Sequence, residues 1–148
     1  MNVQTTRFGM VEVDRNRIIT FESGLLGFSS YRRYVLLQPD DDGVFFWLQS
    51  VEAPELAFVV TDPSLWVQDY QATIRREQME EIHLGALDDA QVLVIVNKYD
   101  RVLTGNLQGP LVINLNTFQG IQLVLAEKRW TTRHEIVRIG EAVHAATA

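Results

Sequence analysis

The stretch Gln91-Val92-Leu93-Val94-Ile95-Val96-Asn97-Lys98-Tyr99 carries five consecutive apolar residues, most of them β-branched. A strand with one wet face alternates apolar and polar residues; an unbroken run of this length is a strand covered on both faces. It predicts a central strand, around which the rest of the chain is arranged.

Downstream, residues 111–115 and 120–127 read as two more strands. The second alternates Ile121, Leu123 and Leu125 with Gln122, Val124 and Ala126. Residues 134–139 fit strand or helix, and the alanine-rich end, about 140–148, is expected to fray. Upstream, residues 44–51 and 56–61 are rich in β-branched and aromatic side chains. They are separated by Glu52-Ala53-Pro54-Glu55 and closed by Asp62-Pro63, as expected of antiparallel neighbours. Residues 34–38 form a further strand, ended by Pro39 and the turn signal Asp40-Asp41-Asp42-Gly43. Residues 10–14 and 17–21 predict a β-hairpin about Asp14-Arg15-Asn16-Arg17. The two glycines of Gly24-Leu25-Leu26-Gly27-Phe28-Ser29-Ser30 indicate a buried turn entering a short helical turn. Between 70 and 87, Ile74, Met79, Ile82 and Leu87 recur among charged residues at helical spacing, which predicts a short amphipathic helix. Eight or nine short strands, one or two short helices and no βαβ alternation define a mostly-β chain. The expected form is a single-domain antiparallel β-barrel or barrel-like sandwich spanning residues 1–148.

Of 148 residues, 47% are hydrophobic and 22% charged, the usage of an ordinary globular domain. Nineteen acidic residues against 13 basic ones set the formal charge at −6. That sign repels a phosphate backbone, which argues against direct nucleic-acid binding, and steers association toward a basic protein. The chain has no cysteine, which removes disulfides, thiol nucleophiles and cysteine-ligated metals. Neither a leader-like apolar run nor a segment long enough to span a bilayer is present, so a cytoplasmic protein is expected.

Catalytic chemistry finds no foothold. His83, His134 and His144 lack metal-ligand spacing. The acidic groups Asp40-Asp41-Asp42, Glu80-Glu81 and Asp88-Asp89 lie where solvated charge is the rule. The pair Gly24 and Gly27 matches no phosphate-binding loop, and no serine has a nucleophile elbow or a local base. Neither enzyme activity nor a metal or cofactor is expected. Polar residues within apolar strands are more informative: in residues 103–114, Thr104, Asn106 and Asn114 stand among glycines and Pro110. Such asparagines hold an irregular loop or present amides to a partner.

Taken in order, Ile19-Thr20-Phe21, Gly24-Leu25-Leu26-Gly27-Phe28, Leu48-Gln49-Ser50, Leu56-Ala57-Phe58-Val59-Val60 with Asp62-Pro63, and Tyr70 resemble the bacterial flagellar assembly factor FliW family. Thr104-Gly105-Asn106-Leu107, Gly109-Pro110-Leu111-Val112-Ile113-Asn114 and Gln122-Leu123-Val124-Leu125 extend the likeness over nearly the whole chain. Leu26 replaces the family's usual proline, Gly105 and Gly109 its usual alanines, and Trp130 a tyrosine. The resemblance implies a chaperone-like cytoplasmic protein that binds the C-terminal region of flagellin and the translational regulator CsrA. By partner exchange it would relieve CsrA repression of flagellin translation. It places Phe28, Gln49, Asn106, Leu107, Pro110 and Asn114 at a partner-binding surface, where a hydrophobic groove would take a helix face. A member binding flagellin alone is a narrower version. The alternative from another class is a small ligand-binding β-barrel or barrel-derived enzyme, which a polar barrel interior would favour over a packed apolar one.

Overall fold

A computed structural model describes residues 1–38 and 43–139. The expected turn at Pro39 and Asp40 to Asp42, the frayed end at 140–148 and His144 lie outside the described residues. The strands are β1 (Asn2–Thr5), β2 (Gly9–Glu12), β3 (Ile19–Phe21), β4 (Arg33–Leu37), β5 (Phe45–Ser50), β6 (Ala57–Thr61), β7 (Ala90–Tyr99), β8 (Val102–Gly105), β9 (Leu111–Asn114), β10 (Gln119–Gln122) and β11 (His134–Arg138). An α-helix, α1, spans Arg76–Glu81.

Seven strands close into a barrel in the order β7-β6-β5-β4-β3-β10-β9, with β9 returning to β7. Closure depends on β7, whose ten residues serve two partners along one edge. Ala90 to Leu93 pair with β9 and Val96 to Tyr99 with β8, while Val94 to Val96 pair with β6 on the other edge. The apolar run Val92 to Val96 is therefore central, as its composition predicts. β8 and β11 continue beyond the barrel as a ribbon, and β1 and β2 form a separate hairpin.

The pairings are antiparallel except one, the parallel contact of β10 with β3 (Gln119 with Thr20, Gly120 with Phe21). There the Phe21 ring lies where a Cβ on residue 120 would be, 2.5 Å away, so only glycine admits the ring.

Two apolar layers result. Inside the barrel lie Ile19, Phe21, Leu25, Tyr34, Leu48, Val60, Leu93, Leu111 and Ile113. Outside it, over β7 and β9, a second layer gathers Ile82, Leu84, Val94, Leu107, Val112, Leu123, Leu125 and Trp130. Neighbouring residues of one strand, Leu93 and Val94, point into different layers.

Three expectations are corrected. The expected hairpin of 10–14 with 17–21 does not form: Gly9 to Glu12 pair with β1, Asp14 caps a 3-10 turn at Arg15–Arg17, and β3 pairs with β4 instead. The expected helix over 70–87 contracts to α1, because Tyr70, Ala72 and Ile74 cover the outer layer at the two-residue spacing of extended chain. His83 then ends the helical turn with φ 56°, and Leu87 is exposed. Residues 24–30 contain turns and an isolated bridge between Leu25 and Phe28, without a helical turn. β1 and β8 are further strands that the pattern does not announce.

Candidate protein-interaction surface

The turn at 24–28 is built on positive backbone angles. Gly24 has φ 68° and a Cβ there would meet Ser29 Cα at 2.5 Å; Gly27 has φ 84°. This geometry drives Leu25 into the barrel, 2% exposed, and turns Leu26 outward, 62% exposed. Phe28 is partly exposed and sets its ring edge-on to Phe58, with centroids 5.1 Å apart.

Gln122 connects this turn to the second polar stretch. Its Oε1 accepts from the Leu26 amide (2.8 Å) and its Nε2 donates to the Gly109 carbonyl (3.0 Å), while the Gly109 amide donates to Asn106 Oδ1 (3.0 Å). Stretches more than eighty residues apart are thereby joined through one amide side chain. Beside it lies a groove of about 260 Å³ lined by Leu25, Leu26, Glu81, Ile121 and Gln122, among others.

The other singled-out residues face inward. Gln49 is fully buried, and its Nε2 reaches the carbonyls of Ser50, Pro54 and Leu56, each at 3.1 Å. Ser50 Oγ accepts from the amides of Glu52 and Ala53, so the two side chains staple the β5–β6 connection. Asn114 Nδ2 donates to the carbonyls of Ile82 (2.8 Å) and His83 (3.1 Å), tying β9 to the end of α1, and its Oδ1 accepts from the Asn116 amide. Leu107 is fully buried in the outer layer, and its carbonyl accepts from the Tyr70 hydroxyl at 2.7 Å. Pro110 is buried too. Of the six residues, Phe28 is the one with an exposed side chain; Asn106 is half-buried in its turn. Gln122 and Leu26 belong with this surface although sequence reasoning did not place them there; the available signal was that both stand in stretches that carry the family resemblance.

Two features set the local electrostatics. The Glu52 carboxylate accepts from the amides of Arg32 (2.8 Å) and Arg33 (3.0 Å), which hold its carboxyl below the ordinary value. Burial pushes the Tyr70 hydroxyl upward, and burial, with the charge of Glu52 second, raises Tyr34 to about 12. Both phenols are hydrogen-bond donors at neutral pH. Among the described residues no group of three His, Asp or Glu side chains is placed to hold a metal, and no helix is long and apolar enough to cross a membrane.

The FliW protein family model matches residues 2–136. The flagellar assembly factor FliW of Geobacter sulfurreducens is 43% identical over 136 residues, covering 90% of this chain and 85% of that protein. Its counterpart in Bdellovibrio bacteriovorus is 40% identical over 138 residues, covering 92% and 79%. A crystal structure of the flagellar assembly factor FliW superposes with a TM-score of 0.85 at 31% identity, covering 93% of this chain and 97% of the other.

Proposed function

The chain belongs to the FliW family of flagellar assembly factors, and on that premise we propose that it is a cytoplasmic, non-catalytic binding protein for the C-terminal region of flagellin and for CsrA. Exchange between the two partners would relieve CsrA repression of flagellin translation. The observation that carries this reading is family membership over residues 2–136. A second observation favours it over a ligand-binding barrel: the interior is filled by large apolar side chains, including Phe21, Tyr34, Leu48 and Ile113, where a ligand barrel needs room.

For flagellin, the groove beside the 24–28 turn offers exposed Leu26 to the apolar face of a helix, with the partly exposed Phe28 on the same turn. For CsrA, the formal charge of −6 attracts a basic RNA-binding protein and weakens its hold on RNA. Calorimetric titration with purified flagellin and, separately, with CsrA at two salt concentrations tests both arms. Expected are micromolar or tighter binding to each, weakening of the CsrA arm as salt rises, and at least ~tenfold weaker flagellin binding by Leu26→Asp. Absence of heat with either protein overturns the proposal; heat with flagellin alone reduces it to the flagellin arm.

A further inference from the structure

Residues 123–126, Leu-Val-Leu-Ala, carry no charge and no proline. Leu123 and Leu125 are buried and their amides donate inward to the carbonyls of Pro110 and Gln108, both at 2.8 Å. Val124, 64% exposed, and Ala126 face away, and their backbone amides and carbonyls have no protein partner among the described residues. Across a groove of about 240 Å³ runs a second strand-like segment, residues 70–75. In it Tyr70, Ala72 and Ile74 cover the outer layer while Gln71, Thr73 and Arg75 are exposed. The amides of Gln71, Ala72, Thr73 and Ile74 are likewise without a protein partner among the described residues. No backbone hydrogen bond crosses the groove.

The free edge of β11 provides the contrast. It is interrupted by a register shift between Glu135 and Val137 and carries the ion pair Glu135–Arg138, devices that stop a further strand from adding. The 123–126 edge has neither, and an unguarded apolar edge is a template for pairing.

We propose that this groove receives an extended segment of a partner protein, which adds as a strand along Val124 and Ala126. Unpaired main-chain donors and acceptors specify an extended main chain as occupant: an amphipathic helix satisfies its own backbone and would leave the edge bare. Alternate occupant side chains would face Val124 and Ala126, so apolar β-branched residues are preferred there, and a four-residue edge takes about four occupant residues. The inference is independent of the flagellin and CsrA reading, and its groove is distinct from the one beside Leu26.

The probe is a displayed library of random heptapeptides, selected on the full chain and followed by synthesis of the enriched sequences. Enriched peptides should show apolar residues in alternation. N-methylation of alternate amides in one register should weaken binding ~tenfold or more, while the other register is tolerated. Exchange of the Val124 and Ala126 amides, fast in the free protein, should slow in the complex. Val124→Pro removes a donor that has no protein partner and should abolish binding; if that variant does not fold, Val124→Lys serves, since charge is the natural guard of an edge. Failure to enrich, indifference to N-methylation, or binding unchanged in the edge variant overturns the proposal. So does a concentration-dependent dimer that Val124→Lys abolishes, which would make the occupant a second copy.

Discussion

The two apolar layers of the molecule are held in different ways. Inside the barrel, eight of the nine core residues stand on strands, with Leu25 the exception, so hydrogen-bonded ladders fix their positions. In the outer layer only Val94 and Val112 stand on assigned strands; Ile82, Leu84, Leu107, Leu123, Leu125 and Trp130 lie outside them, Leu123 and Leu125 on a single row of backbone bonds to Pro110 and Gln108. What ladders do for the interior, polar clasps do outside: Asn114 grips the end of α1 and Tyr70 grips the Leu107 carbonyl. Both layers are buried, at most 3% exposed inside and 7% outside, so the main difference is one of backbone support. Support decides whether damage stays local.

The comparison is tested most severely by truncating one large side chain in each layer. Leu48 and Leu123 are 0% and 1% exposed. Leu48→Ala should cost ~3–4 kcal/mol, because ladders on both sides of β5 keep the cavity from collapsing. Leu123→Ala should fall nearer ~2–3 kcal/mol, since irregular chain can close around the gap. Urea unfolding of both variants measures the pair. Hydrogen exchange should show the Leu48 variant opening globally and the Leu123 variant speeding exchange mainly at Leu123, Leu125 and Leu107. Equal global effects would mean that the outer layer folds as one unit with the barrel.

The clasps come next. Asn114 is 2% exposed, and its amide serves two carbonyls and one amide. Asn114→Ala leaves the buried Ile82 carbonyl without its donor and should cost ~2 kcal/mol. The loss should appear as earlier exchange around Ile82 and Leu84, with the barrel ladders intact. A Phe28→Ala variant should cost less than Asn114→Ala, because the ring is 37% exposed.

The same difference explains what the sequence discloses. The barrel was legible because its strands announce themselves through composition and alternation: the run Val92 to Val96 and the turn at 52–55 are read without coordinates. The outer cover reads in sequence as one short amphipathic helix over 70–87, because Ile74, Met79 and Ile82 mimic helical spacing while the chain before α1 is extended; Tyr70, Ala72 and Ile74 already held the two-residue period. The parallel pairing of β10 with β3 could not be read, since it rests on Phe21 meeting Gly120 across nearly a hundred residues. At the interaction surface, an inward glutamine and an outward one look alike in sequence. Gln49 and Asn114 turn out to be buried braces, whereas the half-buried Gln122 joins the two loops.

A smaller effect separates the layers by pH. The partly buried Tyr70 phenol titrates above its ordinary value of 10.0. A raised folded-state value means that its contribution is complete below about pH 10, the unfolded value, and is lost as pH rises through the folded one. Tyr70→Phe keeps the ring against Trp130, 4.8 Å between centroids, and removes the bond to Leu107. It should cost ~1 kcal/mol at neutral pH and flatten the alkaline loss of stability. The remaining alkaline loss belongs to Tyr34 in the barrel, whose value is about 12. Unfolding midpoints measured from pH 7 to pH 11 distinguish the two phenols.

The smallest expected effect is at acid pH, on the barrel side. Glu52 is exposed, yet two backbone amides hold its carboxyl below the ordinary 4.5. A depressed folded-state value stabilises the native state above the unfolded value, and the contribution is lost as pH falls through the folded one. Glu52→Gln keeps an acceptor for Arg32 and Arg33 but cannot titrate. The variant should therefore be slightly less stable than the parent at pH 7 and converge with it below pH 4.5, with the difference shrinking in high salt because the site is open to solvent. Parallel urea curves at pH 7 and pH 3 decide it. A gap that persists at pH 3 would mean that Glu52 supports the β5–β6 connection through shape, with the Gln49 and Ser50 staples depending on its geometry and not on its charge.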